Sequence, residues 1–244
     1  MQFISVKKLI FSLLLVSSIH QHAYAQNADI DEGFDPFSDY NETESSAEEE
    51  ADINFFRNGR FVTVGFLGGV RGFTQGLSGM YQSSPGFGLF LSYFFDLRFA
   101  LQFSFLTSDH TFKVVAPSGQ TGRGNVSLTN FALDIKYYIN TQNVTKGLAK
   151  FNPYFIVGFS RVDRTATIVD VDSFSKEGAM AYDFGAGIEL PMMRNKMFFG
   201  GQFMYQMINF HNENTEVVFA NGERTGKYPN GDSYTLLGVV GVNF

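Results

Sequence analysis

In several stretches of this chain large apolar residues fall at every second position, and that period selects one local structure, a strand with two unlike faces. Leu97, Phe99, Leu101, Phe103 and Phe105 alternate with Arg98, Ala100, Gln102, Ser104 and Leu106. Phe131, Leu133, Ile135, Tyr137 and Ile139 alternate with Asn130, Ala132, Asp134, Lys136 and Tyr138. Tyr182, Phe184, Ala186, Ile188 and Leu190 face away from Asp183, Gly185, Gly187 and Glu189. The chain ends on another such run, with Tyr234, Leu236, Gly238, Val240, Val242 and Phe244 on one face. With 29 Phe, 11 Tyr and 25 Gly against 6 Pro, the composition also favours strands over helices, so an all-β fold is expected.

The pattern resolves into eight predicted strands, near Arg60–Arg71, Gly86–Phe95, Leu97–Phe112, Asn125–Asn140, Asn152–Thr165, Ala179–Leu190, Lys196–Phe210 and Ser233–Phe244. The first and fifth, around Phe61 to Leu67 and Tyr154 to Ser160, do not show which face is which. The first, third, fifth and seventh connections are long and polar, whereas the second and sixth are tight turns. That asymmetry fits an even-stranded meander with long loops at one end and short turns at the other. The fourth connection, Thr141 to Phe151, is longer than this scheme requires.

Alternation alone does not separate a membrane barrel from a soluble one. The faces opposite the large residues do. Gly88, Phe90, Ser92 and Phe94 on the second strand, and Phe198, Gly200, Gln202, Met204 and Gln206 on the seventh, carry no charge. Such strands facing water would be prone to pair with other chains. Turned inward they fill the narrow interior of an eight-stranded barrel, and the rows of Phe and Leu meet lipid.

The first residues read as an export signal. Lys7 and Lys8 precede an apolar run from Leu9 to Val16 and a small-x-small site at Ala23-Tyr24-Ala25, so cleavage is expected after Ala25. The apolar run is shorter than the roughly 20 residues of a spanning helix. Residues 26–52 carry eleven acids and no Lys or Arg, whereas 53–244 carry sixteen cations against thirteen acids. The acidic segment is expected to be disordered, followed by the barrel from 53 to 244. Phe34, Phe37 and Tyr40 give it a candidate docking motif among the carboxylates. Cysteine is absent, which excludes a disulfide framework and thiolate metal sites.

Taken together, the export signal, eight strands, unequal connections, aromatic strand ends and final Phe244 resemble the small bacterial outer-membrane β-barrels of the OmpA and OmpX type. The resemblance implies an eight-stranded antiparallel up-and-down transmembrane barrel in the outer membrane, with both its N-terminal segment and its C-terminus periplasmic. It also implies that the outer-membrane assembly machinery reads the strand bearing Tyr234, Leu236, Gly238, Val240, Val242 and Phe244. Outer-membrane lipid and lipopolysaccharide are the implied surroundings, and a periplasmic or surface protein is a further expected partner.

Charges on the polar faces mark the candidate site. Arg98, Asp134, Lys136, Asp183, Glu189 and Arg161 are expected to form a salt-bridged polar core, since buried charges must pair. A closed plug is favoured over a small ion-conducting pore, because eight strands leave little lumen. Arg161 and Asp183 become cross-strand partners if the loop between them is symmetric about Asp172. Catalysis is not expected. The lipid A deacylases on this architecture would require His-x-Ser-Asn, and His211-Asn212-Glu213-Asn214 lacks the serine. Ser108 and Asp109 adjoin His110, but neighbouring strand residues point to opposite faces. No cofactor or metal is implied, and the glycines of 65–72 precede no phosphate-binding helix. Loop cations Lys113, Arg123, Arg164, Lys176, Arg224 and Lys227 are read as solvated, with lipopolysaccharide phosphates as an alternative ligand and nucleic acid not indicated.

Overall fold

The computed structural model describes residues 61–96, 98–139, 151–169, 171, 176–193 and 196–244. The expected signal peptide and acidic segment, and most of the fourth connection, lie outside the described residues. Eight strands follow one another around a closed barrel: β1 Val62–Phe73, β2 Ser84–Phe94, β3 Phe99–Val115, β4 Thr121–Tyr138, β5 Asn152–Val169, β6 Glu177–Met192, β7 Met197–Ile208 and β8 Ser233–Asn243. All pairings are antiparallel, and β8 returns to β1. Among the described residues one short helix, α1 (Gln75–Ser78), lies in the connection after β1.

The register is unbroken by bulges and can be followed through one inward belt. Thr63 faces Ser92, Ser92 faces Gln102, and the path continues through Asp134, Gly158, Asp183, Gln206 and Ser233. Ser233 pairs with Phe73, ten residues beyond the starting point on β1. Eight strands with such a stagger are tilted by roughly 35–45° and enclose a lumen just wide enough to be filled by side chains.

The two unresolved faces are settled by burial. On β1, Thr63 and Leu67 point inward and Val64 and Phe66 outward; on β5, Tyr154, Ile156 and Ser160 point inward and Phe155, Val157 and Phe159 outward. Gly65 belongs to the inner row, where a Cβ would stand 2.5 Å from the Phe90 ring. Phe66, Phe87, Leu89, Leu91, Phe103, Phe155 and Phe203 are among the many large apolar side chains exposed on the outer surface. Water would not tolerate an apolar band of this extent, whereas lipid favours it.

Towards the loop end the polarity of the wall reverses. Beyond Phe105 on β3 the outward residues are Thr107, Asp109, Thr111 and Lys113, with Val115 at the strand end; beyond Phe131 on β4 they are Thr129, Ser127, Asn125 and Arg123; beyond Phe159 on β5 they are Arg161, Asp163, Thr165 and Thr167, with Val169 at the strand end. The inward residues of the same segments, including Phe112, Val114, Val126, Leu128 and Val162, form an apolar core. Leu77 of α1 and Met80 and Tyr81 after it close over that core, together with Val217 and Phe219 from the connection after β7. This half of the barrel is therefore built like a soluble protein, standing on a membrane half built the other way round. Strands β3, β4 and β5 run further than their patterning predicts because water replaces lipid outside them, leaving connections of only 116–120 and 170–176.

The boundary can be checked on one face of one strand. Phe103→Arg is expected to cost roughly 2–4 kcal/mol of folding stability in bilayers, while Thr111→Arg is expected to cost under about 1. Urea unfolding in lipid vesicles distinguishes them, and equal costs would mean that lipid reaches Thr111.

Candidate functional site: the barrel interior and its mouth

The interior carries three polar groups stacked from the turn end to the loop end. Nearest the turns, Lys136 Nζ lies 3.5 Å from Glu189 Oε1, and both side chains are at most 1% exposed. The Tyr138 hydroxyl donates to the same oxygen at 2.9 Å. Lys136 Nζ also sits 4.3 Å from the centre of the Tyr154 ring, whose hydroxyl donates to Gln202 Oε1 at 3.1 Å. The ammonium thus has a carboxylate on one side and an aromatic face on another, the environment a desolvated cation needs.

Higher up, Gln206 links an arginine to a carboxylate. Arg71 Nη2 donates to Gln206 Oε1 at 2.8 Å, and Gln206 Nε2 donates to Asp183 Oδ1 at 3.0 Å. Ser160 Oγ donates to the same carboxylate oxygen at 2.9 Å. Arg71 Nη1 reaches Ser108 Oγ at 3.3 Å, and Ser108 Oγ lies 2.9 Å from His110 Nε2. His110 Nδ1 is 2.9 Å from the Gln82 carbonyl, which only accepts, so Nδ1 carries a proton and the ring is held between Gln82 and Ser108. Asp134 completes this level from β4: it and Asp183 flank Gly158, where a Cβ would stand 2.3 Å from Asp134 Oδ1. A cavity of about 20 Å³ lined by Asp134, Asn130, Ser104 and Gln206 has room for roughly one water molecule.

The third group braces the mouth. Arg164 is fully buried, donating to Asn212 Oδ1 at 3.0 Å and to Glu177, and reaching the Tyr81 hydroxyl at 3.4 Å. Its guanidinium carbon lies 4.5 Å from the centre of the Phe210 ring. Glu177 Oε1 in turn accepts from the backbone N–H of His211 and Asn212. Burial pushes the Tyr81 phenol above its ordinary range, against the opposing pull of Arg164, so its hydroxyl keeps its proton. Contacts among connections complete the closure: Leu77 N–H donates to the Asn230 carbonyl, and Glu223 accepts from Ser118 N–H and Oγ.

Four of the six residues expected in the lumen, Asp134, Lys136, Asp183 and Glu189, are buried in the interior. Two are not. Arg98 lies exposed in the turn between β2 and β3, beyond the end of the lumen. Arg161 points outward, its side chain 65% exposed and paired with Asp163 at 3.0 Å, because at its height the barrel wall has already left the hydrocarbon. Asp183 faces Gly158 across the strands and Arg161 faces Met180, so the proposed symmetry about Asp172 is displaced. Arg71 and His110 were not anticipated in the interior, and Arg164 proves to be a buried brace. Ser108 and His110 share the inward face, two residues apart, and lie beneath the cap away from lipid. Tyr234, Leu236, Gly238, Val240 and Val242 line the outer face of β8, and Phe244 beyond it is 70% exposed.

A family model described as the outer membrane protein beta-barrel domain matches residues 11–223. The chain belongs to that family. The barrel therefore resides in the bacterial outer membrane, and its apolar band meets that membrane's hydrocarbon. Two solved barrels are similar in fold: Neisserial surface protein A, at 12% identity and a TM-score of 0.50, and the outer membrane protein OprG of Pseudomonas aeruginosa, at 13% and 0.50. The first alignment covers 75% of this chain and 97% of the other, the second 76% and 98%. No curated protein sequence matches the chain.

Proposed function

We propose that this outer-membrane barrel is a closed, non-catalytic protein that works through its surfaces, with its loop end outside the cell and both ends of the chain on the periplasmic side. The observation that supports closure is the filled interior: an ion pair and hydrogen-bonded side chains occupy the membrane half, and an apolar cap occupies the mouth. The full mature chain, refolded into planar bilayers and shown by a heat-dependent gel shift to be folded, is expected to give no steady conductance. Channels that persist at low voltage would replace this reading with that of a passive pore.

In the same reading the outward row from Tyr234 to Phe244 is the segment taken up by the assembly machinery, and the acidic residues before the barrel dock a basic envelope protein. Deleting residues 31–52 is expected to abolish specific periplasmic crosslinks; an unchanged set counts against docking. The non-catalytic assignment is supported by the burial of Ser108 and His110 at 4% and 1% exposure. Lipid A mass spectra should be the same from cells carrying the wild-type chain or His110→Ala and His211→Ala variants. A mass change that depends on either histidine would instead make the barrel a lipid-directed enzyme.

A further inference from the structure

Lys113 on β3 and Arg123 on β4 are direct register partners on the outer face, and both are exposed. Two like charges directly opposite one another destabilise an antiparallel pair. Neither cation enters an ion pair among the described residues. The outward acids of β3 and β5 stand lower on the wall and are engaged there: Asp109, four residues before Lys113, accepts from Ser127 Oγ, and Asp163 pairs with Arg161. Next to the cations Thr111 faces Asn125, adding a hydroxyl and an amide to the same patch.

Height decides which anion this patch meets. Lys113 lies eight residues beyond Phe105, the last aromatic residue of the lipid-facing row on β3. At about 3.3 Å per residue and a tilt near 40°, that is roughly 20 Å along the barrel axis. The headgroup layer of a bilayer leaflet is only about 5–8 Å deep, so phospholipid phosphates lie well below. Arg161, two residues beyond Phe159, is placed at headgroup depth instead. Anions fixed some 20 Å out in such a membrane are carried on the sugars of lipopolysaccharide.

We propose that Lys113 and Arg123 are a docking point for the acidic, phosphorylated inner-core sugars of lipopolysaccharide. This rests on the loop end being external. The guanidinium and ammonium supply charge-assisted hydrogen bonds to phosphate or carboxylate, with Thr111 and Asn125 offering further hydrogen bonds to sugar hydroxyls. The bound anion also relieves the repulsion that the bare strand pair retains.

The test uses the full mature chain in detergent micelles with two probes: lipopolysaccharide truncated after the inner core, and lipid A with the same acyl chains and phosphates but no core sugars. The wild-type barrel is expected to hold the first about tenfold more tightly. Lys113→Glu should bring its affinity down to the lipid A level without changing lipid A binding, and Arg123→Glu should do the same. Without lipopolysaccharide, either variant should keep its heat-dependent gel shift and unfold at equal or higher urea, because the introduced carboxylate faces the remaining cation. Loss of core binding with gain of intrinsic stability is a combination that a purely structural role for the pair does not produce. Equal affinity for the two probes, or unchanged discrimination in both variants, overturns the proposal while leaving the closed-barrel reading intact. Channel conductance would do the reverse.

Discussion

Glu189→Ala is expected to destabilise the folded barrel by roughly 3–5 kcal/mol, the cost of removing one member of a buried charge pair. Lys136 would keep the face of Tyr154 but lose the carboxylate 3.5 Å away, and the Tyr138 hydroxyl would lose its acceptor. Water cannot readily replace them, since both members of the pair are at most 1% exposed. The double variant Lys136→Met/Glu189→Leu should recover most of the loss, because removing both charges also removes their desolvation cost. Urea titration in lipid vesicles, read by the heat-dependent gel shift, gives both values. A single variant as stable as the wild type would mean that Lys136 is compensated elsewhere.

The second large effect belongs to the other half of the molecule. Phe112 is fully buried, with the Tyr81 ring centre 5.9 Å away and α1 nearby in the same core. Phe112→Ala should cost about 3–5 kcal/mol, as truncation of a packed aromatic leaves a cavity. The loss should appear first at the mouth, because the cap is held by that core and the membrane half by lipid and its own hydrogen bonds. Protease is therefore expected to cut 209–232 faster in the variant while the lipid-embedded strands remain protected. Unchanged cutting would show that the connections hold each other without the core beneath them.

Much of this architecture is legible in the sequence because lipid and a narrow lumen impose opposite chemistry on alternate residues. β3, β4 and β6 declare their faces through rows such as Phe99 to Phe105 against Ala100 to Leu106. β1 and β5 do not, since apolar residues stand on both faces, as with inward Leu67 beside outward Phe66 and inward Ile156 beside outward Val157, and only burial in the closed barrel assigns them. The interior cations are harder to read. Arg71 stands at the end of a glycine-rich run, and Arg164 resembles a loop residue until β5 is seen to continue to Val169. Arg161 misleads for the complementary reason: an outward charge is forbidden in hydrocarbon but ordinary above it. A change in solvent along one strand is invisible to a period of two, although Thr107, Asp109, Thr111 and Lys113 following Phe105 on the same face record it.

The unbroken ten-residue stagger also acts as an error filter during insertion. Slipping any one strand by a single residue would exchange its two faces, carrying Asp134 and Lys136 on β4, or Asp183 and Glu189 on β6, into hydrocarbon and drawing phenylalanines into the lumen. Midplane charge alone would penalise that product by several kcal/mol. A slip of two residues keeps the faces but changes the stagger at the β8–β1 seam, and with it the tilt and girth into which Arg71, Gln206 and Asp183 must fit. The charged interior thus gives a chain entering the membrane a means of rejecting its own misaligned forms before the ring is sealed.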